Sequence, residues 1–127
     1  MRRALAFAVI PLFLATGLAR AEDQRDPIVD EASRNKSFVL AEFVSQSCPA
    51  CDEMRPVVNA VLAQHPSVRH QVHDADLEPE LAKKYRVRCV PVYVVVDPEG
   101  QVKFNDVGMM TQDQLDQILH GSGLGSR

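Results

Sequence analysis

Only three of the 127 residues are cysteine, only six are glycine, and the 14 basic residues are outnumbered by 17 acidic ones. Three cysteines are too few for the disulfide framework of a small secreted domain, and an odd number cannot all pair within one chain. The glycines form no glycine-rich phosphate loop, which removes the usual nucleotide motifs. The acid excess argues against nucleic acid as a partner. Long apolar runs are missing too. Ala4 to Ala19 spans 16 residues and is interrupted by Pro11 and Gly17, short of the roughly 20 that a membrane span requires.

That run follows the basic Met1-Arg2-Arg3 and ends at Ala19-Arg20-Ala21, which has the small-x-small form of a cleavage site. Residues 1–21 are therefore expected to be a cleavable export signal, or a membrane anchor where the signal is retained. The expected destination is the bacterial periplasm. Cleavage removes three basic and no acidic residues, leaving 106 residues with a net charge of −6. The remainder reads as one domain over residues 22–120, and the glycine- and serine-rich residues 121–127 read as a flexible tail.

Within the domain, Phe38 to Val44 is a nearly continuous apolar run, as expected of a strand covered on both faces, and Glu42 alone breaks it. After Pro49 the period changes: Met54, Val57, Val58, Val61 and Leu62 make one apolar helical face, with Pro56 inside the helix and expected to kink it. Val68 to His73 is a weaker strand, and Pro79 to Tyr85 is a short helix with proline in its first turn. Val92 to Val96 is a second β-branched run. Asp97-Pro98-Glu99-Gly100 then turns the chain into a strand over Gln101 to Asn105. Thr111 and Gln114 form a capping box ahead of Leu115, Ile118 and Leu119. A weak helix followed by β-α-β-α-β-β-α, with two buried strands joined through helices, predicts a sheet covered on both sides, an α/β sandwich.

The chemistry concentrates in Cys48-Pro49-Ala50-Cys51, at the junction of the buried strand and the proline-containing helix. A helix N-terminus offers free N–H groups and a positive dipole end, both of which favour a thiolate at Cys48. Two intervening residues let Cys51 close a small ring with it, the minimum for reversible two-electron thiol chemistry. The other readings are a structural disulfide or half of a metal site. For a metal site only Cys89 remains as a third thiol, and His65, His70 and His73 follow no familiar ligand spacing, so no metal is expected. The histidines show no catalytic arrangement: His65 and His120 fall near helix ends, where positive charge is favoured, and His70 and His73 in the weak strand.

This pattern resembles the thioredoxin family, a C-x-x-C beside a β-α-β unit. The likeness spans about residues 28–119. It includes an acidic residue six positions before the first cysteine (Glu42) and a helix proline eight after it (Pro56). It also includes a hydrophobic residue and cis-proline facing the disulfide (Val90-Pro91) and a substrate-groove glycine (Gly108, after Val107). Three departures stand out. The family's usual Trp-Cys-Gly-Pro-Cys is here Ser47-Cys48-Pro49-Ala50-Cys51. The segment before Phe38 is too short for the usual first strand and helix together. Finally, Glu42-Phe43-Val44-Ser45-Gln46-Ser47-Cys48-Pro49 is similar to the periplasmic disulfide-oxidase branch, whose helical insertion and intervening histidine are absent.

The resemblance implies an α/β fold, a three-layer sandwich with a central mixed sheet and helices on both faces, and a thiol–disulfide oxidoreductase with no cofactor beyond its own disulfide. Cys48 would be the nucleophile, Cys51 the resolving thiol and Glu42 the base, its carboxyl raised toward neutrality by burial. Pro49, Ala50, Val90, Pro91 and Gly108 would bind substrate. Met109 and Met110 are candidates for an adaptable apolar rim or for core. Cys89 is read as a small buried filler or an incidental thiol. Expected partners are client proteins with disulfides or thiols, and a membrane protein supplying electrons. The alternatives are a periplasmic disulfide oxidase of the same fold, or a non-catalytic module that binds copper or a partner protein.

Overall fold

A computed structural model describes residues 25–125; the expected export signal at residues 1–21 lies outside them. The chain runs α1 (Pro27–Asn35), β1 (Val39–Val44), α2 (Pro49–Gln64), β2 (Arg69–Asp74), α3 (Pro79–Lys84), β3 (Val92–Val96), β4 (Val102–Val107) and α4 (Gln112–Gly121). The four strands form one sheet in the order β2-β1-β3-β4. β1 is parallel to β2 and antiparallel to β3, and β3 is antiparallel to β4. No described helix is long and apolar enough to cross a membrane.

Strand alternation divides the core in two. Val39, Ala41 and Phe43 of β1 join Val92, Val94 and Val96 of β3 beneath Ile28 and Ala32 of α1 and Ala82 of α3. Leu40, Tyr93 and Val95 face the other way, under Met54, Val58 and Val61 of α2 and Leu115 and Leu119 of α4. Both central strands are therefore covered on both faces, which is why they read as unbroken apolar runs. The edge strands are different: most of β2 and β4 is exposed or half-buried, so their apolar signal is weak.

Turn chemistry holds the ends in register. Asp97 accepts from the N–H groups of Glu99 and Gln101, and Gly100 follows at φ 82°. A side chain at Gly100 would stand 2.4 Å from Ser33 Oγ of α1, so this position requires glycine twice over. The Thr111–Gln114 capping box is formed in both directions. α2 continues unbroken through Pro56, which withholds one N–H from the helix without ending it. Residues 121–125 are not the loose tail expected. Gly123 and Leu124 donate back to His120 and Leu119, Ser122 Oγ donates to the Ile118 carbonyl, and Leu124 packs on the α2/α4 core.

Candidate active site

Cys48 is the N-cap of α2. Its Sγ accepts from the Cys51 N–H at 3.1 Å, occupying the place an N-cap hydroxyl usually takes, and Pro49 fills N1, where no N–H is needed. The two sulfurs form a disulfide of 2.03 Å between Cα atoms 5.2 Å apart. Both residues are largely covered, Cys48 at 8% and Cys51 at 6% exposed. On reduction the Cys48 sulfur keeps a ready N–H donor and the positive end of a 16-residue helix, an environment that favours thiolate over thiol.

Glu42 lies on the α2 side of β1, and its side chain is 9% exposed. It lines a cleft of about 380 Å³ with Cys51, His70, Arg55, Asn59 and Val72, so the carboxylate and the second cysteine open onto the same space. The cost of a charge in a central strand is met here by pairing. His70 Nε2 approaches Glu42 Oε1 to 2.6 Å and donates to it, offsetting the cost of burial. Behind the pair, the buried Tyr93 hydroxyl has no hydrogen-bond partner among the described residues. Burial, with the charge of Glu42, pushes that phenol above its ordinary range and keeps it protonated.

His70 is the residue that sequence reasoning missed. Its strand is an exposed edge, and its link to Glu42 spans 28 positions. The available signal was alternation: in the parallel register His70 stands opposite Leu40 and Val72 opposite Glu42, so His70 and Glu42 share a sheet face one step apart.

Of the expected substrate-binding positions, Pro49 and Ala50 open α2, whereas Val90, Pro91 and Gly108 fall on connected loops. The Val90–Pro91 peptide bond is cis, and the Gly108 N–H donates to the Pro91 carbonyl at 3.0 Å. Gly108 itself has φ 117°, a conformation that other residues rarely adopt. Met110 donates its N–H to Met54 Sδ at 3.4 Å, which fastens the β4–α4 loop to α2. The two methionines thereby separate: Met110 joins the core edge, whereas Met109 is exposed. Cys89 is also exposed, so it is no buried filler. It lines a different cavity, of about 560 Å³, with Ser45, Arg86, Arg88 and Val90. Its thiol stands on an exposed loop rather than in the core, which is why the packing expectation fails there.

Comparison with known proteins agrees with this geometry. The family profile described as Thioredoxin matches residues 22–121. A thioredoxin from Chlamydia trachomatis is 28% identical over 82 residues, covering 65% of this chain and 79% of that protein. Among solved structures, a mutant thioredoxin from Halobacterium salinarum superposes with a TM-score of 0.65 at 30% identity, covering 78% of this chain and 87% of the other. The Fasciola hepatica thioredoxin gives 0.63 at 24% identity, covering 73% and 86%, a likeness of fold. The chain belongs to the thioredoxin family, and its Cys48–Cys51 pair makes it a thiol–disulfide oxidoreductase.

Proposed function

We propose that the protein is exported and reduces or rearranges disulfides in client proteins, recharged by a membrane protein that passes electrons to it. The observation that carries the reducing direction is the shared cleft of Glu42, His70 and Cys51. A reductase must expel its client quickly, which requires deprotonating the resolving thiol, and a buried carboxylate opening onto that thiol serves this step.

In the reaction, the Cys48 thiolate attacks one sulfur of the client disulfide, forming a mixed disulfide and releasing the other client sulfur as a thiolate that takes a proton. Cys51 then loses its proton to Glu42 and attacks Cys48 Sγ. The Cys48–Cys51 bond forms, the mixed disulfide breaks, and the second client thiol leaves. Two electrons have passed from the protein dithiol to the client. His70 holds the carboxylate and, being partly exposed, links it to solvent. The client backbone pairs in strand fashion with the chain around Val90 and Pro91, while Pro49, Ala50 and Gly108 form the rest of the client-binding surface.

Catalysed reduction of insulin disulfides, abolished by Cys48→Ser, is the expected activity. Cys51→Ser should accumulate mixed disulfides with clients; their absence in cells making that variant would overturn the client-reducing role. For export, N-terminal sequencing of the periplasmic protein should begin at Glu22, and a protein retained in the cytosol would contradict it.

A further inference from the structure

A second cluster of chemical groups lies at the far end of α2, about 24 Å from Cys48 at 1.5 Å per residue. His65 is the C-cap of α2, and Asp116 and His120 stand one turn apart on α4. His65 Nε2 is 2.5 Å from Asp116 Oδ1, and His120 Nε2 is 3.7 Å from Asp116 Oδ2. The two rings meet edge to face with centroids 5.3 Å apart, and one ligand atom from each of the three residues lies within 4.8 Å of the others.

Two further observations point to a cation. The C-terminal ends of α2 and α4 converge here, each presenting the negative end of a helix dipole. In addition, His120 Nδ1 lies 3.0 Å from the Leu124 carbonyl oxygen. A carbonyl only accepts, so in the neutral ring Nδ1 carries the proton and Nε2, the atom facing Asp116, holds a free lone pair. A backbone carbonyl behind the ring is how metal-binding histidines are commonly fixed.

We propose that His65, Asp116 and His120 bind a divalent transition cation of the zinc class. Two imidazoles and one carboxylate are a donor set suited to zinc, with bonds of about 2.0–2.2 Å. Tetrahedral bonds of that length hold ligand atoms roughly 3.4 Å apart. The tight His65–Asp116 pair therefore opens, and His120 swings inward, a movement its half-exposed ring has room to make. Water takes the fourth position. The ion ties α2, α4 and the Leu124 segment together and stands apart from thiol exchange.

The test uses the oxidised Cys89→Ser protein, which has no free thiol to compete, titrated with Zn²⁺ by calorimetry and with Co²⁺ by visible absorption. One equivalent should bind and raise the melting temperature. His120→Ala and Asp116→Asn should each weaken binding by at least about 10–100-fold, the loss that disturbing a ligand's outer-shell partner alone produces. Insulin reduction should be unchanged in both, which establishes that they are folded; if Asp116→Asn is not, the half-exposed His120→Ala decides. No saturable binding, equal affinity in His120→Ala, or binding abolished by His70→Ala and His73→Ala instead would overturn the site.

Discussion

At Glu42 the sequence motif and the structure add different things. The family resemblance, which matches its place six residues before Cys48, marked it as a candidate base, and the fold supplies the cleft with Cys51 and the donor His70. Glu42→Gln should slow the release of the mixed disulfide by about 10²-fold while leaving the first attack by Cys48 nearly intact, as expected when one general base is lost. Stopped-flow thiol exchange separates the two phases, and equal slowing of both would remove Glu42 from the second step. His70 is a positioning residue. His70→Leu should slow the same phase and alter its pH profile, because the carboxylate is then buried without a partner; His70→Gln, which restores an N–H donor, should recover part of the rate. The cysteine pair was legible from its spacing, and Glu42 stood out as the break in an apolar strand and through the family resemblance. The Glu42–His70 and His65–Asp116 contacts were not, because they join residues 28 and 51 positions apart through pairing that only the folded sheet and helices create.

Among the elements, α1 has a mostly polar sequence, and a polar anchor fixes it. Asp26 caps it, accepting from the Ile28 and Val29 N–H groups, and its second oxygen receives the Tyr85 hydroxyl at 2.7 Å and Lys84 Nζ at 2.9 Å. Burial by itself would raise this carboxyl; the bonds from Lys84, Tyr85 and Val29 and the charge of Lys84 outweigh it and hold it below the ordinary 3.8. A carboxyl lowered in the folded state adds stability that is complete above the unfolded value and fades as pH falls through the folded one. Asp26→Ala should thus cost about 1–2 kcal/mol at neutral pH, the size of a lost N-cap, and the gap to the unchanged protein should narrow below about pH 4. Denaturant melts at both pH values check it. Thr111→Ala, at the capping box of α4, should cost about 1 kcal/mol by the same measurement. Thr111 was recognisable from its spacing to Gln114, whereas the anchoring role of Asp26 depends on Tyr85 at the end of α3, 59 positions away, and was not. Edge strands set the other limit: β4 continues to Val107, past the expected Asn105, because its exposed residues lack the periodicity that marks a buried strand.

For the whole molecule, two buried strands joined through helices were enough to predict a sheet covered on both sides, since apolar runs such as Val92 to Val96 need cover on both faces; that the sheet is mixed followed from the family resemblance. The direction of electron flow is a property of the entire site, set by how far the helix end stabilises the Cys48 thiolate and how readily Cys51 is deprotonated. Pro49 is shared with the oxidase branch, but no histidine stands between the cysteines to stabilise the thiolate further, and only the six-residue α3 lies between β2 and β3. The deciding measurement is the reduction potential of the Cys48/Cys51 couple in the Cys89→Ser protein, equilibrated against defined dithiol buffers. A reductase predicts a value near the roughly −270 mV of thioredoxin; a value near the roughly −120 mV of the strong periplasmic oxidase, or no reversible couple at all, would contradict it.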